Sequence, residues 1–273
     1  MSERDVIERT KTPNTIDSLS AELRTLGVVS GMVLLVHSSL SALGWVCGGA
    51  VAVIRALERA LGPKGTLVMP AMSGDLTDPR DWQHPPVPES WKDTIRSSAP
   101  PYDRNLTPTR SMGAIAEAFR TKPGVVRSDH PHCSFAAQGP HAEQITSGHE
   151  LDFGLGEGSP LARIYELDGW ILLLGVGHAN NSSLHLAEYR TEYPGKRESM
   201  NGAPVTIDGA RCWVEIRDLD LDESDFETIG EAFERETGQA RTGTVGLATT
   251  RLLAQRALVG FAGHWMAEHR TAA

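Results

Sequence analysis

Apolar positions along the chain follow two rhythms, one helical and one of short continuous runs. Ile16, Leu19, Leu23 and Leu26 recur at helical spacing between Thr15 and Leu26, and Gly27 follows where a left-handed residue closes a helix. Met32 to Val36 is a short apolar run with β-branched members, read as a buried strand, and His37-Ser38-Ser39-Leu40-Ser41 breaks it ahead of Gly44 and Gly48-Gly49. Helical spacing returns from Ala50 to Leu61, and Gly65 to Pro70 reads as the next strand. Strand, polar Gly/Ser loop, helix and strand make a βαβ unit, which implies a parallel sheet.

Residues 73–110 break the rhythm with Pro79, Pro85, Pro86, Pro88, Pro100, Pro101 and Pro108, interleaved with Trp82, Trp91 and Tyr102. So many prolines exclude a continuous helix or a central strand, while the aromatics call for packing, so the segment reads as a lid. Ser111 to Lys122 is helical again, with Ile115, Ala118 and Phe119 on one side, and Ser134 to Ala137 reads as a short strand. Ser159-Pro160 has the form of a capped helix start, and Trp170 to Leu174 is the most apolar strand. Beyond Pro194, Val205 to Ile207 and Cys212 to Ile216 suggest a hairpin turning at Asp208-Gly209. Phe226 to Glu236 and Val245 to His269 read as amphipathic helices, the second placing Val245, Leu252, Leu253, Phe261 and Trp265 towards a core or a partner. The expected fold is α/β: a central, largely parallel sheet flanked by helices, with a small antiparallel attachment in the C-terminal third. One domain over 1–273 with the lid insertion at 73–110 accommodates all of it.

Composition narrows the function. With 273 residues, 40% hydrophobic and 22% charged, the chain can bury a sizeable core, which excludes intrinsic disorder. Thirty-five acidic against 26 basic side chains give a formal charge of −9, which disfavours a nucleic-acid surface and suits a cationic small molecule. Cys47, Cys133 and Cys212 are odd in number and far apart, so neither a disulfide framework nor a CxxC knuckle is expected. The first residues lack an apolar signal core, and no run approaches the roughly 20 apolar residues of a membrane span. A cytoplasmic location is expected.

Three segments carry candidate chemistry. From Leu174 to Tyr189 the chain leaves a strand and enters a helix, and strand carboxyl ends are where parallel sheets gather active groups. There His185 and Glu188 stand at i and i+3, so the carboxylate can hold one imidazole nitrogen while the other faces a substrate; the plain alternative is a surface ion pair. The Gly- and Ser-rich turn from His37 to Gly49 exposes amide donors to an extended ligand such as a phosphate or a pantetheine chain, or is an ordinary tight loop. His130, His132 and Cys133 invite a zinc reading, but neighbours in an extended loop do not readily converge on one ion, and a hydrogen-bonded loop is preferred. No GxSxG elbow is present. These residues favour transfer chemistry with a base and a large ligand.

Together the motifs resemble the aminoglycoside 3-N-acetyltransferase family, an antibiotic acetyltransferase family distinct from the GNAT fold. The likeness runs through VHSSLSALGWVCGGA, GTLVMPAMS, TPTRSMGAIAEAFR, RSDHPHCSFAAQG, LGEGSPLARIYELDG, LLLGVGHANNSSLHLAEY and GFAGHW, from Val36 to Trp265. The resemblance implies acetyl-CoA-dependent acetylation of the 3-amine of a 2-deoxystreptamine aminoglycoside, giving antibiotic resistance, with His185 as base and Glu188 as its partner and with no metal. It implies coenzyme A along Ser38, Ser39, Leu40, Ser41, Leu43 and Gly44 and beside Thr109, Met112 and Gly113. Family members commonly carry Asn-Thr where this chain has Asn181-Ser182, and Asp where it has Ala179. Backbone amides or the Ser182 hydroxyl are candidate oxyanion donors, and Asp75, Asp152, Glu157 and Glu192 are candidate drug-side carboxylates. A monomer or homodimer is expected; the competing expectation is an acetyltransferase for another cationic amine, or a non-catalytic coenzyme A or polyamine binding module.

Overall fold

The computed structural model describes residues 3–83 and 85–271. A short exposed helix, α1 (Glu3–Arg9), leads into α2 (Ile16–Leu26). Thr15 and Ser18 start α2 with reciprocal side-chain caps. Gly27 ends it at φ 114°, in the left-handed region that costs other residues about 1–2 kcal/mol. Then β1 (Val33–Ser38), α3 (Gly49–Leu61) and β2 (Thr66–Pro70) complete the expected βαβ unit, with its strands parallel. Next come α4 (Glu89–Ser98), α5 (Gly113–Arg120), β3 (Val126–Arg127), β4 (Phe135–Gln138) and α6 (Ala142–Thr146). After them come α7 (Pro160–Glu166), β5 (Trp170–Leu174) and α8 (Ser183–Arg190). The hairpin β6 (Glu198–Ile207) and β7 (Ala210–Leu219) precedes α9 (Phe226–Thr237), β8 (Arg241–Val245), β9 (Ala248–Ala254) and α10 (Gln255–His269).

Seven strands form one sheet in the order β3-β4-β2-β1-β5-β9-β8. Its centre, β2-β1-β5, is parallel, and both flanks are antiparallel. Alternation along β1 splits the core into two layers: Leu34 and Val36 meet α2, α3 and α5, while Val33 and Leu35 meet the layer that holds α6 to α10. A sheet covered on both faces needs unbroken apolar strands, which is why Trp170–Leu174 shows no polar alternation. The small antiparallel attachment is the separate β6-β7 sheet, turning at Asp208 (φ 50°) and Gly209 (φ 76°), the two positive values of a type I′ turn. Among the described residues no helix is long and apolar enough to cross a membrane.

Two expectations need correction. Val245 to His269 is not one helix: Val245 ends β8, Leu252 and Leu253 lie in β9, and only Gln255–His269, carrying Phe261 and Trp265, is helical. The buried pair Leu252-Leu253 of β9 runs directly into the apolar positions of the helix, so periodicity alone does not divide strand from helix. Ser159 precedes Pro160 as expected but makes no capping bond, and its hydroxyl is buried without a partner.

The 73–110 segment fits one ten-residue helix, α4, into its proline-free stretch. It docks on the hairpin through Arg211 to the Ala99 carbonyl (2.7 Å), Tyr102 N–H to the Pro204 carbonyl (2.9 Å) and Asp78 N–H to Asn201 (2.8 Å). Buried Arg127 ties it to the sheet, donating to the carbonyls of Thr107 and Ala71 at 2.5 Å each. Tyr102 packs under Arg127, whereas Trp91 stays 58% exposed.

Strand register gathers the candidate loops. Ser38 stands opposite Leu174 where β1 and β5 end, and Pro70 at the end of β2 stands opposite Phe135 at the start of β4. Residues 38–44, 71–75, 128–134 and 175–182 therefore lie along one edge of the sheet.

Two glycine substitutions test this packing. A Cβ on Gly230 in α9 would lie 1.9 Å from the buried His178 ring, so Gly230→Ala is expected to cost about 1–3 kcal/mol. Gly260 in α10 has nothing within 4 Å, so Gly260→Ala is expected to add about 0.5–1 kcal/mol from helix propensity. Urea unfolding measures both, and matching midpoints for the two variants would contradict the contact.

Candidate active site

His185 and Glu188 face each other on the first turns of α8, with Nδ1 2.6 Å from Glu188 Oε2. Glu188 has no exposed surface, and its other oxygen, Oε1, accepts from the Asp222 N–H at 3.1 Å and from Arg270 Nη1 at 2.6 Å. A fully buried carboxylate thus has hydrogen-bond partners on both oxygens that replace the water it has lost. Because Nδ1 meets the carboxylate, Nε2 is the His185 nitrogen turned away from the pair. Phe226 at the start of α9 packs edge-on to the imidazole, 4.8 Å between centroids.

Two groups absent from the sequence-based set face His185. His37, near the end of β1, is buried on the α8 side of the sheet; burial and then the charge of His185 lower its imidazole to about 4, and its Nε2 is buried without a partner. Asp218, near the end of β7, accepts from the Tyr189 hydroxyl and from the N–H of Leu219 at 2.8 Å. Burial pushes its carboxyl up, against the stabilising hydrogen bonds from Tyr189, Leu219 and Gly154 and the charge of His185. Ser182 is half-buried at the N-cap of α8, and its hydroxyl makes no capping bond.

The first βα loop opens a cavity of about 540 Å³ lined by Leu40, Ser41, Gly44, Trp45 and Val46 with Glu3, Val6, Gly48 and Gly49. Gly44 takes φ 82°, where a Cβ would press on Leu247 and Thr10 at 2.9 Å. Leu43 points into the core and is fully buried, so it offers backbone rather than side chain. Ser39 N–H is already committed to the Leu174 carbonyl at 3.0 Å. Gly113, at φ 81°, brings the start of α5 to this loop, its ideal Cβ position 3.7 Å from the Ser38 carbonyl, and half-buried Met112 precedes it. Thr109 spends both its N–H and its hydroxyl on Glu117, at 3.0 and 2.8 Å.

The four candidate drug-side carboxylates do not converge. Glu157 and Glu192 line a second cavity of about 510 Å³ with Glu150, Glu198, Lys196, Arg197 and Tyr189. Four carboxylates against two cations leave its wall at −2, and Tyr189 lies one helical turn beyond His185. Asp75 is exposed and paired with Arg110, and Asp152 accepts from the Arg217 backbone N–H at 2.9 Å and pairs with the Arg217 guanidinium at 3.4 Å. Glu157 is held by Arg190 at 2.5 and 2.8 Å, and Glu192 by Lys196 at 3.0 Å. Each of the four is therefore already paired with a cation.

The family model for aminoglycoside 3-N-acetyltransferase matches residues 35–267. The chain belongs to the aminoglycoside 3-N-acetyltransferase family. It is 46% identical over 263 residues to the SPbeta prophage-derived aminoglycoside N(3')-acetyltransferase-like protein YokD of Bacillus subtilis (strain 168), covering 96% of each chain. It is 36% identical to aminoglycoside N(3)-acetyltransferase VII of Streptomyces paromomycinus, covering 98% of this chain and 96% of that one. Among solved structures, AAC-IIIb in its binary complex with CoASH superposes at a TM-score of 0.83 with 32% identity, covering 96% of this chain and 99% of that one. AAC-VIa bound to sisomicin superposes at 0.85 with 33% identity, covering 96% and 100%. Family membership makes the protein an acyltransferase built on the α/β fold described above.

Within this acetyltransferase the His130 segment is a hydrogen-bonded loop. His130 Nδ1 accepts from the N–H groups of His132 and Cys133 at 3.1 and 2.9 Å, and Nε2 meets the Leu151 carbonyl at 3.1 Å. His149 stacks on it at 4.7 Å and bridges Ser128 to the Gly154 carbonyl. Burial lowers His132 and His149 to about 4, and His130 well below its ordinary value. Unfolded imidazoles take up protons near 6.5, so from about pH 6.5 down to 4 the unfolded chain binds more protons than the folded one. Stability is expected to fall with falling pH across that window, by up to about 1.4 kcal/mol per pH unit for each buried imidazole. Chemical unfolding at a series of pH values measures the slope, and no change between neutrality and pH 5 would mean that these rings are not buried neutral.

Proposed function

We infer that the protein transfers the acetyl group of acetyl-CoA to the 3-amine of a 2-deoxystreptamine aminoglycoside, with His185 as general base and Glu188 as its orienting partner. The observation that carries this reading is the 2.6 Å contact between His185 and a carboxylate with no exposed surface, beside the edge where the parallel strands end. The CoASH complex of AAC-IIIb and the sisomicin complex of AAC-VIa, on the same fold, support the two ligand classes.

An aminoglycoside amine is mostly protonated near neutrality and cannot attack a thioester until its lone pair is free. Nε2 of His185 accepts a proton from the amine nitrogen as it adds to the acetyl carbonyl; the N–C bond forms, the C–S bond breaks, and the imidazolium returns that proton to the departing thiolate, so coenzyme A leaves as the thiol. Glu188 steadies the imidazolium without taking its proton. Ser182 and backbone N–H groups at the strand ends are the donors for the carbonyl oxygen. Ser38 to Gly44, Met112 and Gly113 form the coenzyme A channel, and Thr109 supports it through Glu117 rather than with a free hydroxyl. The 73–110 segment covers this channel as a lid within a single 1–273 domain. Glu157 and Glu192 draw the polycation, while Asp152 and Asp75 add to the field. Acetylation removes one cation from the drug, and with it resistance follows in the cytoplasm, where acetyl-CoA is available.

Two measurements test this reading. His185→Ala is expected to lower kcat for aminoglycoside-dependent CoA release by about 10²–10⁴-fold with the fold retained by near-UV circular dichroism, and NMR of the product should place the acetyl group on the 3-nitrogen. Wild-type turnover in that variant would remove His185 from the chemistry. Glu157→Gln combined with Glu192→Gln is expected to raise KM for the drug several-fold at low salt, with less effect at high salt and little on kcat. A salt-independent KM in the parent enzyme would argue against an electrostatic cleft.

A further inference from the structure

The oxygens of Glu188 are divided between two basic residues: Oε2 meets His185, and Oε1 meets Arg270. Arg270 immediately follows α10 and lies beyond the 35–267 span matched by the family. Its guanidinium is gripped from the other side, with Nε and Nη2 donating to the two oxygens of Asp225 at 2.8 Å each and Nη2 to the Asp222 carbonyl at 2.7 Å. Its flat face lies over Tyr193, 4.7 Å from the ring centroid. A side chain 8% exposed, with every edge engaged, is a fixed charge rather than a mobile one.

We propose that Arg270 is a positioning residue for acetyl transfer: it fixes the Glu188 carboxylate and offsets its charge, setting the pH at which His185 is free to accept a proton. This rests on His185 being the base. With the imidazole neutral, the His185–Glu188 pair carries −1 in a buried site, and Arg270 brings the group of three to zero. Without the cation, the pair holds a proton to higher pH, whichever of its atoms carries it.

The other charges around the pair do not replace that cation. His185 faces neutral His37 from β1 and Asp218 from β7, and α9 presents the Phe226 ring. Glu188 faces Tyr193 beyond α8 and the Asp222 N–H, while Asp225 acts on Arg270. Among the described residues, His185 and Arg270 are the basic groups in contact with Glu188.

The test measures the pH dependence of kcat and KM for CoA release by the full-length enzyme, with acetyl-CoA and one aminoglycoside. The variants are Arg270→Gln, Arg270→Lys, Glu188→Gln and the Arg270→Gln/Glu188→Gln double, each checked for folding by near-UV circular dichroism. Arg270→Gln is expected to move the acid limb of the kcat profile to higher pH by about one unit or more and to lower kcat about tenfold with little change in KM. Arg270→Lys keeps the charge and is expected to return the limb towards the parent. In the Glu188→Gln background, Arg270→Gln should change kcat by less than about twofold, because the residue it acts through is gone.

A folded Arg270→Gln enzyme with the parent profile overturns the proposal. So does an equal loss with and without Glu188, which would mark a merely structural role. If Arg270→Gln does not fold, Arg270→Gln combined with Asp225→Asn removes both charges of the outer fork together. An acid limb shifted to higher pH in that variant supports the proposal, and an unmoved limb overturns it. His185→Ala separates the two levels: wild-type turnover there refutes the base itself, whereas an inactive His185→Ala beside normal Arg270 variants refutes only the positioning role.

Discussion

A carboxylate cut off from water needs donors that replace the solvation it has lost, and Glu188 sets that condition for the whole site. Its donors come from three separate parts of the chain: His185 on the same helix, the Asp222 N–H ahead of α9, and Arg270 after α10. The position of the imidazole is therefore fixed by how α8, α9 and α10 pack as one layer on the sheet. Breaking one partner leaves a buried charge uncompensated, so the layer and the base are expected to fail together more readily than either alone.

The sheet supplies the second constraint. A parallel centre forces β1, β2 and β5 to end on the same side, and the antiparallel entry of β4 brings the 128–134 loop to that edge as well. Alternation along β1 then turns His37 towards α8, where burial holds it neutral near the His185 ring. Two imidazoles in one site stay distinct because their surroundings differ: one has a carboxylate at 2.6 Å, the other an unpartnered buried nitrogen.

Local signals in the sequence carried much of this arrangement. Gly27, the Asp208-Gly209 turn and the βαβ alternation each depend on a few neighbouring residues, and the structure follows them closely. The His185–Glu188 contact was legible because i and i+3 on a helix are neighbours whatever the rest of the chain does. Arg270 was not, since it meets Glu188 across 82 positions and looks like an ordinary cation near a helix end. His37 stayed hidden for a related reason, its role depending on which face of β1 the α8 layer covers. The merging of β9 with α10 had a local cause: Leu252 and Leu253 run into the apolar positions of the helix, and the β-branched pair Thr249-Thr250 was the signal that separates them.

The paired state of the acidic wall bears on how a polycation is recognised. Glu157 and Glu192 line a cleft that is negative overall and are paired with Arg190 and Lys196, so in the proposed reaction an incoming ammonium would exchange with a protein cation instead of neutralising a bare carboxylate. Exchange of like charges gains little from Coulomb attraction alone, because one ion pair replaces another of similar strength. On that proposal, selection among cationic amines would depend on geometry: an ammonium that reaches Glu157 and Glu192 while presenting another nitrogen to Nε2 of His185 would satisfy both ends, and one of the wrong length would leave an end unpaired. In the proposed reaction the long-range field would raise the encounter rate, and the spacing between the acidic wall and His185 would decide which nitrogen is acetylated.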